Sequence, residues 1–184
     1  ALISIPYSYI APRAFVDTNI IGTLNMLEAI KKSNCTRAVF TSTSEVYGSA
    51  QATPITEEHI LQAQSPYAAT KISADHILDS YVRSFNLPAL ILRPFNTYGP
   101  RQSEKAVISS IIRQALDTKI ETLKAGSLET KRDFNYVSDT VMAFISLATA
   151  KDDLVRYGTA YNSGTGVAVS ISEVLDIIYN LTNC

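Results

Sequence analysis

Thr41-Ser-Thr-Ser-Glu-Val-Tyr-Gly48, reached through the apolar run Arg37-Ala-Val-Phe-Thr-Ser, is the stretch on which the fold turns, with Tyr67-Ala-Ala-Thr-Lys71 as its companion downstream. The apolar run reads as a buried strand. The polar segment that follows lies at the strand's C-terminal end, where open α/β sheets place their ligand crevice. Residues 67–85 read as a long helix with Pro66 just before its first turn. Tyr67 and Lys71 stand at i and i+4 and share one helix face. An ammonium beside a phenol favours the phenolate and lowers its pKa. A tyrosine so tuned can act as a general base near neutral pH.

Working outward, residues 15–32 carry helical periodicity, with Val16, Ile20, Thr23, Leu24, Leu27 and Ile30 on one face. A loop runs from Gly48 to Pro66. Pro88 to Arg93 is a second buried strand and Pro94 to Gln102 a turn-rich loop. Ala106 to Leu116 is helical, and Ile120 to Lys124 and Asp133 to Val137 are short strands. Ser138 caps a helix reaching Ala150. Thr159 to Asn162 is another short strand. Ser170 opens a helix to Leu181 with Glu173 at capping-box spacing. Alternating strands and helices make the class α/β with a largely parallel sheet.

The chain has 184 residues, 46% of them hydrophobic, enough for a real core. Lys+Arg is 16 and Asp+Glu is 17, so no charged surface for nucleic acid or membrane is advertised. No apolar run reaches the roughly 18 residues of a spanning helix. Cys35 and Cys184 lack metal or disulfide-scaffold spacing and read as small hydrophobes. His59 and His76 have no partner at ligand spacing, so no metal centre is expected. Asn34-Cys35-Thr36 and Asn180-Leu181-Thr182 match the glycosylation triplet by chance. Gly164-Thr-Gly166 is a turn and not a dinucleotide loop. The chain does not begin with Met and is expected to be a piece of a longer protein.

Five segments, in order, resemble the extended short-chain dehydrogenase/reductase (NAD-dependent epimerase/dehydratase) family. They are Asn19-Ile-Ile-Gly-Thr-Leu-Asn25, Thr41–Gly48, Ser65-Pro-Tyr-Ala-Ala-Thr-Lys71, Arg93-Pro-Phe-Asn-Thr-Tyr-Gly-Pro-Arg101 and Lys131-Arg-Asp-Phe-Asn-Tyr-Val-Ser-Asp139. Within it, Ile5–Pro12 and Thr41–Gly48 look most like the nucleotide-sugar 4,6-dehydratases of the legionaminic-acid-type N-acetylglucosamine branch.

The resemblance implies part of a Rossmann-like doubly wound parallel sheet. Residues 1–98 would be the C-terminal half of the NAD-binding domain, and 99–184 a partial substrate-binding region interleaved with the last strands. The first strands and the glycine loop would lie upstream. It implies that Tyr67 takes the sugar 4-hydroxyl proton, that Lys71 holds the nicotinamide ribose of NAD and tunes Tyr67, and that Thr43 hydrogen-bonds the reacting oxygen. Glu45 would remove the C5 proton, made acidic by a ketone at C4, as the 6-hydroxyl leaves. Glu45, Ser44 or a water would supply the leaving-group proton. Asn96, Arg101 and Arg132 would hold the nucleotide pyrophosphate, which suits forked cations and amide donors. Helices 15–32 and 67–85 would form a homodimer, and the enzyme would be cytoplasmic. A nucleotide-sugar decarboxylase and a 4-epimerase of the same family are the alternatives, and a non-catalytic interaction module is a third of another kind.

Overall fold

The computed structural model describes residues 1–182, and Cys184 lies outside them. Two compact units emerge: Ala1–Pro94 with Val141–Ser163, and Phe95–Thr140 with Gly164–Cys184. The division drawn from the sequence set 99–184 apart as a region interleaved with the last strands of the first. Residues 141–163 join the first unit because they carry a helix and a strand that complete its sheet.

The first unit opens with α1 (Ile5–Ile10) and α2 (Pro12–Phe15), which passes through a π-helical segment, Val16–Ile21, into α3 (Gly22–Lys31). The π segment resets the helical period. The buried side chains are therefore Phe15, Asn19, Leu27 and Ile30, whereas Val16 of the expected face is exposed. Asn19 is buried because its amide is fully used: Oδ1 accepts from the Leu2 N–H at 2.8 Å, and Nδ2 donates to the Leu2 carbonyl at 2.9 Å and to Thr70 Oγ1 at 3.1 Å.

Then come β1 (Ala38–Thr41), a 3-10 turn Ser44–Tyr47, α4 (Pro66–Phe85) and β2 (Ala89–Pro94). The last strand of this sheet, β5 (Ala160–Ser163), gives the parallel order β1-β2-β5, with Phe40 opposite Ile91 and Ile91 opposite Ala160. The central strand is buried on both faces, as a parallel strand between helices should be. Ala89 and Ile91 pack with Leu27, Ile30 and Leu78 of α3 and α4. Leu90 and Leu92 pack on the other side with Phe144 and Leu147 of α6 (Val137–Thr149).

In the second unit β3 (Asn96–Tyr98) pairs parallel with β4 (Lys131–Tyr136), which pairs antiparallel with β6 (Ala168–Ser170). Ile111 of α5 (Val107–Leu116) packs with Ile171, Val174 and Ile178 of α7 (Ile171–Thr182). The capping box is formed: Ser170 N–H and Oγ both donate to Glu173 Oε2 at 2.7 Å, and Glu173 N–H donates back to Ser170 Oγ at 3.1 Å.

Four local expectations change. A strand, β3, replaces part of the 94–102 loop. Residues 120–124 are not a strand, and the Lys124 backbone is held instead by the Gln114 carboxamide, with N–H to Oε1 at 2.8 Å and Nε2 to the carbonyl at 3.0 Å. α6 begins at Val137, so Ser138 lies inside the helix, where its hydroxyl donates to Asp139. The elements α1 and β6 are additions. Cys35 is half-buried, its Sγ donating to the Arg37 carbonyl at 3.3 Å. Among the described residues no helix is long and apolar enough to cross a membrane, and no group of three or more His, Cys, Asp or Glu is placed to hold a metal ion.

Candidate active site

Strand β1 ends at Thr41, and the chain leaves the sheet through a buried Ser42 into Thr43, whose backbone is extended. Thr43 Oγ1 accepts the Glu45 N–H at 3.2 Å and so caps the 3-10 turn. Val46 and Tyr47, both buried, anchor the turn from below, while Ser44 and Glu45 are half-buried. The turn ends at Gly48, with φ at 66°, where an added Cβ would lie 2.3 Å from the Gln62 carbonyl oxygen. The returning loop is fastened there by Gln62 N–H on the Val46 carbonyl at 2.9 Å.

Helix α4 starts against this turn. Ser65 caps it, Oγ accepting the Ala68 N–H at 3.1 Å, with Pro66 in its first turn. Tyr67 and Lys71 are each only 6% exposed. The Thr43 side chain is placed to hydrogen-bond the Tyr67 phenol. Burial nonetheless pushes the phenol up, the Thr43 hydrogen bond opposes this, and the negative charges of Glu45 and Asp75 add to the rise. The Lys71 ammonium is turned onto the Thr41 carbonyl, and burial pushes Lys71 itself down, with Asp75 opposing. Thr43, Glu45 and Tyr67 are thus brought together, with Lys71 one turn along the same helix face.

Sequence reasoning passed over what lies beneath. Asp75, one further turn along α4, is 7% exposed, and its Oδ2 accepts from Ser42 Oγ at 2.8 Å, Arg93 Nη2 at 3.0 Å and Arg93 Nε at 3.1 Å. Arg93 Nη1 continues to the Tyr47 hydroxyl at 3.0 Å, which donates to Asn162 Oδ1 at 2.7 Å. Asn162 also binds the long loop, its N–H donating to Glu57 at 2.7 Å and its Nδ2 to the Ile55 carbonyl at 3.1 Å. Burial raises the Asp75 carboxyl against the lowering effect of Arg93 and Ser42. The signal was available: a carboxylate at i+4 from Lys71 repeats the spacing of Lys71 from Tyr67.

Asn96, Arg101 and Arg132 belong to the second unit. Asn96 is half-buried in β3, opposite Phe134. Arg101 is exposed at a φ of 66° and, with residues 97–100, Gln102 and Val137, lines a cleft of about 230 Å³. Gln102 Nε2 closes this loop on the Thr97 carbonyl at 2.7 Å. Arg132 is exposed on β4, its Nη1 on the Lys131 carbonyl at 2.9 Å, and does not line the cleft. Among the described residues neither guanidinium is in an ion pair. The Gly164–Gly166 turn is clamped by Asp133, which accepts from the N–H of Thr165 at 2.9 Å and of Gly166 at 2.8 Å.

Residues 1–183 match the family described as GDP-mannose 4,6 dehydratase. The chain belongs to that family. A relative of this family member, the dTDP-D-glucose 4,6-dehydratase of Dictyostelium discoideum, is 33% identical over 91% of the chain and 40% of the relative. Among solved structures, dTDP-glucose 4,6-dehydratase from Bacillus anthracis in complex with NAD is 34% identical at a TM-score of 0.85, the match covering 100% of the chain and 55% of that structure. UDP-N-acetylglucosamine 4-epimerase from Methanobrevibacter ruminantium is 32% identical at a TM-score of 0.90, covering 100% of the chain and 59% of that structure. The chain thus spans about half the length of the relatives it matches, and both dehydratases and 4-epimerases are among them.

Proposed function

We propose that this chain carries the proton-transfer residues of an NAD-dependent nucleotide-sugar 4,6-dehydratase acting on GDP- or UDP-linked N-acetylglucosamine. The observation that carries this reading is the Glu45 carboxylate, set on a turn capped by Thr43 and close enough to raise the Tyr67 phenol by its charge. A 4-epimerase has no use for a second base at this point, whereas a dehydratase needs one.

In this reading Thr43 orients the sugar 4-oxygen and Tyr67 accepts its proton as C4 is oxidised. The C4 ketone then acidifies C5–H, Glu45 takes that proton, the 6-hydroxyl leaves as water, and C5 regains a proton that has exchanged with solvent as the hydride returns to C6. Glu45, Ser44 or a water supplies the leaving-group proton. NAD, when bound, supplies the two-electron acceptor and donor that makes C4 and C6 exchange oxidation levels. The donor set fits it: an ammonium has three N–H donors, the Thr41 carbonyl takes one from Lys71, and a ribose diol can take the others. Asn96, Arg101 and Arg132 are assigned to the pyrophosphate, whose geometry a guanidinium fork matches. The full protein is assigned to the cytoplasm as a homodimer through helices 15–32 and 67–85. The match to a UDP-N-acetylglucosamine 4-epimerase favours an N-acetylated sugar, and makes 4-epimerisation the second reading.

The test is Glu45→Gln in the full-length parent. The amide keeps the shape but cannot accept a proton. Wild-type enzyme in heavy water should yield 4-keto-6-deoxy sugar with deuterium at C5, and the variant should stop after one equivalent of bound NAD is reduced, releasing little 4-keto-6-deoxy product and placing no deuterium at C5. A wild-type product inverted at C4, with its 6-hydroxyl intact and no deuterium at C5, overturns the dehydratase reading.

A further inference from the structure

One face of α4 presents Tyr67, Lys71 and Asp75 at successive four-residue steps, all buried. The first two are turned to the candidate site; the third is turned to the sheet beneath. A single carboxylate oxygen, Oδ2, gathers the hydroxyl of Ser42, just past the end of β1, and two nitrogens of Arg93 on β2. Ser42 precedes Thr43, so the bond at 2.8 Å sets where the Thr43 hydroxyl stands relative to α4. The Asp75–Arg93 ion pair, 3.0 Å long with both side chains over nine-tenths buried, fixes the same helix to the neighbouring strand.

We propose that Asp75 is the positioning residue of this site: it locks the Tyr67–Lys71 face of α4 onto the ends of β1 and β2 and serves as the buried counter-charge of Lys71. The proposal rests on the reading of Tyr67 and Lys71 as the proton-transfer pair. It does not depend on which sugar reaction follows.

The charged groups around the pair are few. From α4 itself comes Asp75, from the 3-10 turn Glu45 and Tyr47, from β2 Arg93, and from β1 only the Thr41 carbonyl. α1, α2 and the π segment bring the Phe15 ring to Tyr67 and the Asn19 amide to Thr70, while their charged residues, Arg13 and Asp17, are exposed. Among the described residues, Asp75 is the one group whose charge acts on both Tyr67 and Lys71, raising each. Its neutralisation therefore moves both toward acid. The base form of Tyr67 is reached at lower pH, and the charged form of Lys71 is lost at lower pH.

The experiment is the pH profile of kcat/KM for Asp75→Asn in the full-length parent, measured with whichever sugar nucleotide it turns over. Both limbs should move to lower pH, that of Lys71 through loss of an opposite charge and that of Tyr67 through loss of a like one. Asp75→Glu should return both limbs to their wild-type positions even if the rate stays reduced. A bell of lower height whose limbs have not moved shows a merely structural role and overturns the proposal. If Asp75→Asn does not fold, Asp75→Asn/Arg93→Gln removes the guanidinium it would strand, and the same two shifts are required of it. Failure of the Glu45→Gln test would change the reaction assigned here and leave this result standing.

Discussion

Tyr67→Phe removes a single oxygen from a side chain that is only 6% exposed. The ring remains, and with it the edge contact to Phe15 at 6.3 Å and 74°. One hydrogen bond is lost, that with Thr43. Thr43 is half-buried, so its freed hydroxyl hydrogen can turn to solvent while its oxygen still accepts the Glu45 N–H at 3.2 Å. The stability change should therefore stay within about 1.5 kcal/mol, the net worth of one hydrogen bond. Turnover should fall about 10²–10⁴-fold, as for loss of a general base. At about 1.4 kcal/mol per tenfold, that is roughly 3–5 kcal/mol of barrier. The gap between the two figures separates chemistry from architecture. Steady-state turnover and urea unfolding of the full-length parent, wild type against variant, measure both. A rate within about tenfold of wild type would place the base elsewhere; a rate loss matched by an equal loss of stability would refute the reasoning.

Thr43→Val removes the one hydrogen bond that lowers the Tyr67 phenol, so the acidic limb of kcat/KM should move to higher pH, opposite in sign to Asp75→Asn; a limb that stays put or moves down contradicts the assignment. Gly48→Ala would drive a methyl to 2.3 Å from the Gln62 carbonyl at a φ of 66°. It should cost at least about 1–2 kcal/mol in urea unfolding, and an unchanged midpoint would show that the turn can shift.

Sequence legibility followed length and redundancy. Helix α4 was readable because a cap, a proline and a long periodic run agree on its start. The strands β1 and β2 were readable because parallel strands buried on both faces are continuous apolar runs. The helix of residues 15–32 was found with its face right from Ile20 to Ile30 but wrong at Val16, since a period of 3.6 does not hold through the π segment Val16–Ile21. Strands β3 and β6 have three residues each, too few to show alternation. Ile120–Lys124 has the residues of a strand, but a side chain, Gln114, takes up its backbone at Lys124. At the site, the Tyr67–Lys71 spacing was legible, but the direction in which Lys71 points was not. Asp75 carried a local mark in its i+4 spacing from Lys71, but its pairing with Arg93 did not: the partners come from a helix and a strand, and only the fold joins them.

The chain passes between the two compact units three times, after Pro94, after Thr140 and after Ser163. Within these residues neither unit is a contiguous stretch of gene. A single recombination event between two homologues would therefore splice half of one unit to half of another. Trading the whole second unit from Phe95 onward requires crossovers at all three passages. The middle passage lies inside the α6 helix, where the join must also preserve helical phase. Diversification of this part of the molecule is thereby steered toward substitutions within short segments such as 95–102, and away from wholesale exchange.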